Sequence, residues 1–167
     1  MIGLKRLATG LAVACIAAIG AQAQEAMTKV DTIGDWTLYY SEALGNSCLI
    51  TRTDAQGRQL QIGVDRRKMQ AYAGLFAKVD AGMTADKTVP VSFQLGDTTF
   101  TGQATQYNKD GIQGGYVYFN NLNFAYELAR QKELVIHRAE GDDIDVDLTG
   151  SANAIDAMII CQVATAE

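Results

Sequence analysis

Histidine and proline each occur once in this chain, and cysteine three times, in 167 residues. Each scarcity removes options. A single imidazole, His137, cannot build a metal cluster without carboxylate or thiolate partners, and it is a weak base candidate for a cysteine nucleophile. It lies in "LVIHRA", on the alternating set of Val135 and opposite Leu134 and Ile136, the position of a sheet-surface residue. The serine elbow G-x-S-x-G is missing, since "LTGS" and "LGNS" do not supply it. No glycine-rich phosphate loop with its lysine is present. No catalytic residue, cofactor or metal is therefore expected.

Positive charge is also short, with 14 Lys+Arg against 19 Asp+Glu and a net charge of −5. Two of those bases, Lys5 and Arg6, open a segment with its own anatomy. An apolar run follows from Leu7 to Gly20, then Ala21-Gln22-Ala23, an A-x-A cleavage pattern. Residues 1–23 thus read as a secretory signal peptide, with an apolar run too short for a membrane span. "AVAC" ending at Cys15 loosely resembles a lipoprotein cleavage box. Apolar sequence continues past it, however, and Ala12 stands where leucine is usual, so Cys15 is expected to leave with the leader. Residues 24–167 then form one β-rich domain of net charge −7, which repels nucleic acid and anionic lipid. No later stretch is long and apolar enough to cross a membrane.

Cys48 and Cys161 remain. An even pair in an oxidising compartment is most simply a disulfide, and the apolar neighbours in "SCLI" and "MIIC" suit a structural bridge. Closing so long a loop is worth on the order of 4–5 kcal/mol in the chain-entropy model.

Between the cysteines the pattern is mostly of period two. "DWTLYY", "SCLITRT" and "RQLQIGVD" read as strands, the last two joined by the turn "DAQG". Val91, Phe93 and Leu95 alternate in "TVPVSFQLGDTTFTGQATQY", which turns at Gly96-Asp97, and Pro90 argues for an edge or a first position. "GGYVYF", "ELVIHRA" and "DDIDVDL" complete the set. Three segments favour helix. In 69–83, Met69, Tyr72, Phe76, Val79 and Met83 fall at helical spacing, although Gly74 leaves an alternating strand open. Asn120–Lys132 reads as a helix with an asparagine cap and with Leu122, Tyr126 and Ala129 on one face. "GSANAIDAMIICQ" reads as a C-terminal helix capped by Ser151, with Ala152, Ile155, Met158 and Ile159 as its apolar stripe. The fold expected is mainly β: an antiparallel sandwich or partly open barrel with one or two helices.

Asp143, Asp145 and Asp147 resemble the start of a calcium loop. That loop needs glycine sixth and glutamate twelfth, where Leu148 and Ala154 stand, so an alternating strand explains the run better. Arg66, Arg67 and Lys68 form the one basic cluster, and Tyr107, Tyr116 and Tyr118 lie among glycines. Together these six are the candidate binding surface, for a protein or an envelope polymer.

The order of a leader, an early "GDW" strand, a middle "AGMTADKTVPVSFQLGD" and a late "FAYELARQKELVIH…IDVDLTGSANAIDAM" resembles the invasion-associated locus B family of small periplasmic proteins. That resemblance implies a β-sandwich-like envelope protein with no defined catalytic residues to carry over. The chain departs from it in its cysteines, with Tyr116–Phe119 where a family cysteine is expected.

The function expected is a periplasmic or secreted, non-enzymatic binding or envelope-accessory protein. The alternatives are an inhibitor of a periplasmic hydrolase and a hydrolase using Asp65, Asp80 or Glu127. Intact mass spectrometry of the exported protein without reductant should give residues 24–167, two hydrogens lighter than the free-thiol mass; two alkylatable thiols at full mass would refute the bridge.

Overall fold

The computed structural model describes residues 27–120, 123–139 and 141–165. The expected leader at 1–23, Cys15 within it, and Leu122 lie outside the described residues. The strands are β1 (Met27–Ile33), β2 (Trp36–Ser41), β3 (Ser47–Thr53), β4 (Gln59–Asp65), β5 (Gln70–Ala77), β6 (Thr88–Leu95), β7 (Thr98–Lys109), β8 (Ile112–Phe119), β9 (Glu133–Arg138) and β10 (Ile144–Asp147). Helix α1 (Asn123–Arg130) separates β8 from β9, and α2 (Ser151–Ala164) follows β10. The strands form one antiparallel sheet in the order β1-β2-β3-β4-β5-β8-β7-β6-β9-β10, and it is not closed into a barrel.

The expected mainly β architecture, with a C-terminal helix, is the one adopted. Its curvature follows from what the side chains must bury. One sheet face carries Leu38, Ile50, Ile62, Ala73, Val117 and Phe93, and these share a core with Val146 of β10. Seven strand spacings separate β3 from β10, about 34 Å in a flat sheet. Yet Arg52 Nη2 of β3 lies 2.7 Å from Asp147 Oδ2 of β10, and Arg52 Nη1 donates to the Asp147 carbonyl at 2.8 Å. The sheet is therefore strongly coiled. The helices fill its hollow: Phe124 and Leu128 of α1, and Ala154, Ile155 and Met158 of α2, are all buried. Phe124 stacks on Phe119 at 3.9 Å between centroids and meets Phe93 and Phe100 edge-on.

Several sequence expectations need correction. Residues 70–77 form strand β5, not a helix: Gly74 disfavours helix, and the period-two pairing with β4 and β8 wins. In α1 the inward face is Phe124 and Leu128, while Tyr126 is 56% exposed, because the two more apolar residues at i and i+4 take the core. In α2 the first helical residue is Ser151, whose Oγ donates to the Leu128 carbonyl at 3.1 Å. Gly150 precedes it without a side-chain cap, and Ala152 points to solvent while Ala154 is buried. Strand β1 was not anticipated; it is exposed on both faces, which removes the alternation that marks a strand. Pro90 conforms to the edge rule locally, since β9 pairs only with Val91–Gln94 and leaves that flank of β6 open at Pro90.

A disulfide joins Cys48 of β3 to Cys161 of α2, with Cα atoms 6.0 Å apart. It sits inside a polar clamp. The Cys48 N–H donates to Gln162 Oε1 at 2.6 Å, and Gln162 Nε2 donates to Ser47 Oγ at 3.2 Å. Arg66 closes the end of α2, donating from Nη1 to the Thr165 carbonyl at 2.7 Å and from Nη2 to the Gln162 carbonyl. A cation there satisfies carbonyls left over at the helix end and opposes the macrodipole. At the other end of α2, Trp36 Nε1 donates to the Thr149 carbonyl at 3.0 Å. Cys161→Ser should lower the unfolding free energy by about 2–5 kcal/mol, read from denaturant midpoints under non-reducing conditions, with no further loss on adding reductant.

Candidate functional site

The β4–β5 turn, residues 65–69, is built around one buried carboxyl group. Asp65 is fully buried at the end of β4. Its Oδ1 accepts the backbone N–H of Arg67 at 3.0 Å and of Lys68 at 3.3 Å, and its Oδ2 accepts the Tyr118 hydroxyl at 3.2 Å. A carboxyl taking several such bonds tightens its turn and compensates its own desolvation. The chain then leaves through Met69 at φ 55, with the side chain 81% exposed. Lys68 Nζ lies 3.8 Å from the Tyr118 ring centroid, a cation–π contact.

The structure thus brings Lys68 and Tyr118, two of the six candidate surface residues, into contact through Asp65's turn. Arg67 is exposed nearby, 3.5 Å from Asp65 Oδ1. Arg66 is separate in role, since its guanidinium is engaged with the end of α2.

The tyrosines share the sheet face opposite the core. Residues directly paired across antiparallel strands lie on one face. Tyr72 pairs with Tyr118, Gly74 with Tyr116, and Phe76 with Gly114, which also faces Tyr107 of β7. Three glycines on this face are seats for rings. A Cβ on Gly63 would come 2.8 Å from Tyr72 Cε1, and one on Gly74 would come 2.6 Å from Phe76 Cε2. A Cβ on Gly114 would collide with the Leu75 carbonyl and the Phe76 backbone. Rings laid across strand glycines protect the exposed backbone and hold one another in place. Tyr116 packs edge-on to Tyr118 at 5.6 Å, and Phe76 to Tyr107 at 5.7 Å. The result is a half-exposed aromatic strip across β5, β8 and β7. Phe76 and the glycine seats escaped the sequence reading; the spacing G-x-F around Gly74 and G-G-Y around Gly114 is the signal that a strand assignment for β5 would have exposed.

The other candidates lie apart. Asp65 ends β4 and Asp80 follows the far end of β5, so about 25 Å of strand separates them. Glu127 of α1 pairs with Arg130 at 3.5 Å. His137 Nδ1 lies 2.9 Å from Asp143 Oδ2, and its Nε2 is 3.1 Å from Gln94 Oε1. Among the described residues, no group of three metal-ligating side chains converges, and no helix is long and apolar enough to cross a membrane. A cleft of about 460 Å³ opens at the seam between the β3–β4 hairpin and β10. Its charges are matched internally: Arg52 with Asp147, and Arg58 with Asp54 at 2.6 Å. Hydrogen bonds from Thr149 and Arg52 hold the Asp147 carboxyl down at about 2. Burial pushes Asp54 upward, but the hydrogen bonds and charge of Arg58 outweigh it and leave that carboxyl below its usual value.

No protein-family model matches the chain, and no curated protein does. Its fold has a solved counterpart. The crystal structure of invasion associated protein B from Bartonella henselae covers 80% of this chain and 97% of its own, with a TM-score of 0.52 and 17% sequence identity. At that identity the similarity is one of fold, in line with the resemblance seen in the sequence.

Burial, then the charge and hydrogen bond of Asp65, push the Tyr118 hydroxyl up to about 12 from 10.0. Burial first, then Tyr118 and Asp65, also raises Tyr72. For Tyr118 the folded value exceeds the unfolded one, so its contribution is complete below pH 10 and is lost as pH rises through about 12. Tyr118→Phe should cost about 1 kcal/mol at neutral pH. In a tyrosinate absorbance titration it should delete a late-titrating step, and the stability gap to wild type should narrow above pH 10.

Proposed function

We propose that this chain is a non-enzymatic binding or accessory protein of the bacterial envelope, exported to the periplasm or beyond, which acts by surface contact with a protein or envelope polymer. The observation that carries this reading is the aromatic strip. Tyr107, Tyr116 and Tyr118 stand half-exposed on the sheet beside Tyr72 and Phe76, whose rings lie over Gly63 and Gly74, with Lys68 and Arg67 at one end. Aromatic rings with a cationic border are the composition of contact surfaces. The disulfide suits an oxidising compartment, as does the leader sequence. The separation of Asp65 from Asp80 and the pairing of Glu127 with Arg130 weigh against a carboxylate hydrolase, whose acid and base must flank one bond.

One feature favours a second reading, that of a hydrolase inhibitor. The 65–69 turn is internally braced by Asp65 and presents Met69 outward, the form of a rigid insertion loop.

Crosslinked pull-down from an envelope extract distinguishes the two. Contact through the strip requires that Tyr116→Ala lose the captured partner while Met69→Ala retains it. Capture unchanged by Tyr116→Ala would remove the strip from the function, and loss with Met69→Ala alone would support the inhibitor.

A further inference from the structure

We infer that the outer face of β5, β8 and β7 is a binding site for a linear anionic polysaccharide, one bearing carboxylates on its sugar rings. This rests on the surface-contact reading above and names its ligand class.

Shape favours such a polymer. From Tyr118 to the level of Lys109, which pairs with Ile112, the strip follows β8 for six residues, about 20 Å. It lies in the middle of the sheet, remote from the unpaired edges at β1 and β10. A peptide adding as a strand needs such an edge. A protein partner anchored by a hot-spot side chain needs a pocket, and here the rings rest directly on Gly63, Gly74 and Gly114 with no room for a Cβ beneath. Tyr116 meets Tyr118 edge-on and Phe76 meets Tyr107 edge-on, so the strip offers ring faces set beside ring edges; a ring face of this kind suits the C–H face of a sugar ring, with hydroxyls meeting polar groups at the rim. Gln61, opposite Gly74, and Thr105, opposite Tyr116, supply an amide and a hydroxyl there.

Charge favours it too. The chain is acidic overall, at −5. Yet exposed cations stand by Tyr118, Arg67 and Lys68, and a further one, Lys109, lies beyond Tyr107 with the exposed Asp110 next to it in the turn. Asp65, the acid beneath the first end, is wholly buried. Local attraction of this kind outlives the net repulsion because screening limits the latter to about 8–10 Å at physiological salt. Duplex nucleic acid, with one charge per about 1.7 Å of axis, meets that repulsion more strongly than a polymer with one carboxylate per sugar.

The test uses the mature full chain and titrates three probes by calorimetry and amide chemical shifts: polygalacturonate, its fully methyl-esterified form, and poly-glutamate. Polygalacturonate should bind with shifts centred on β5, β7 and β8, and binding should weaken with salt. The neutral ester and poly-glutamate should each bind at least tenfold more weakly. Tyr116→Ala and Tyr107→Ala should each weaken polygalacturonate about tenfold, the scale of one lost ring contact, with folding checked by thermal melts. Lys68→Glu, on an exposed side chain, should do the same and flatten the salt dependence. Equal binding of poly-glutamate, or affinity indifferent to both tyrosines, would overturn the inference by showing charge alone. No binding of polygalacturonate, with a protein still captured through Tyr116 in the pull-down, would overturn the ligand class and leave the surface standing. Failure of both would overturn both.

Discussion

Among the described residues, one sheet with an apolar face has no second sheet to cover it, and so it must curl. That constraint governs the molecule. Ten strands give enough width for the sheet to wrap its own hollow, and two helices supply the volume that opposing side chains would otherwise fill. The curl brings β3 against β10, where backbone pairing does not complete the circle. Arg52 spans that seam, reaching Asp147 and the Thr149 carbonyl, and Arg58 reaches the Asp145 carbonyl. Guanidinium groups replace the missing ladder; both are partly buried in the seam, and the carboxylates of Asp147 and Asp54 offset the desolvation of their charge.

Curling also divides the labour between faces. The concave side is spent on stability. The convex side is free, and on it β4, β5 and β8 place glycines where other sheets place side chains. The rings of Tyr72 and Phe76 lie over Gly63 and Gly74, and their tyrosine neighbours pack edge-on. Asp65 connects the two roles. Its buried carboxyl shapes the turn, so the same group that orders the backbone also positions Lys68 over Tyr118. Arg66, next in sequence, faces the other way and secures the helix end.

Much of this organisation is legible in the residues. Alternation in "QLQIGVD" and "ELVIHR" identifies β4 and β9 because each has one buried and one wet face. β1 is hidden because neither face is buried, so no periodicity marks it. β5 is ambiguous for a different reason: Tyr72 and Phe76 satisfy both periods, and only the partner strands decide. The surface tyrosines can be chosen from the sequence, but that Phe76 and Asp65 lie against them cannot, since cross-strand register is a tertiary fact. Adjacent basic residues likewise look alike in sequence, while the turn geometry sends Arg66 and Lys68 to opposite tasks.

The Cys48–Cys161 bond encloses β3 through most of α2 in one covalent ring, leaving the β1–β2 hairpin outside it. A protease that nicks any exposed loop within that ring cannot release a fragment, because both new ends stay tethered through sulfur. Cleavage between β2 and β3, by contrast, would detach a hairpin that includes Trp36, and with it a wall of the core. Resistance to proteolysis is thus unevenly distributed along the chain, and the Gly45–Asn46 turn is its most consequential point.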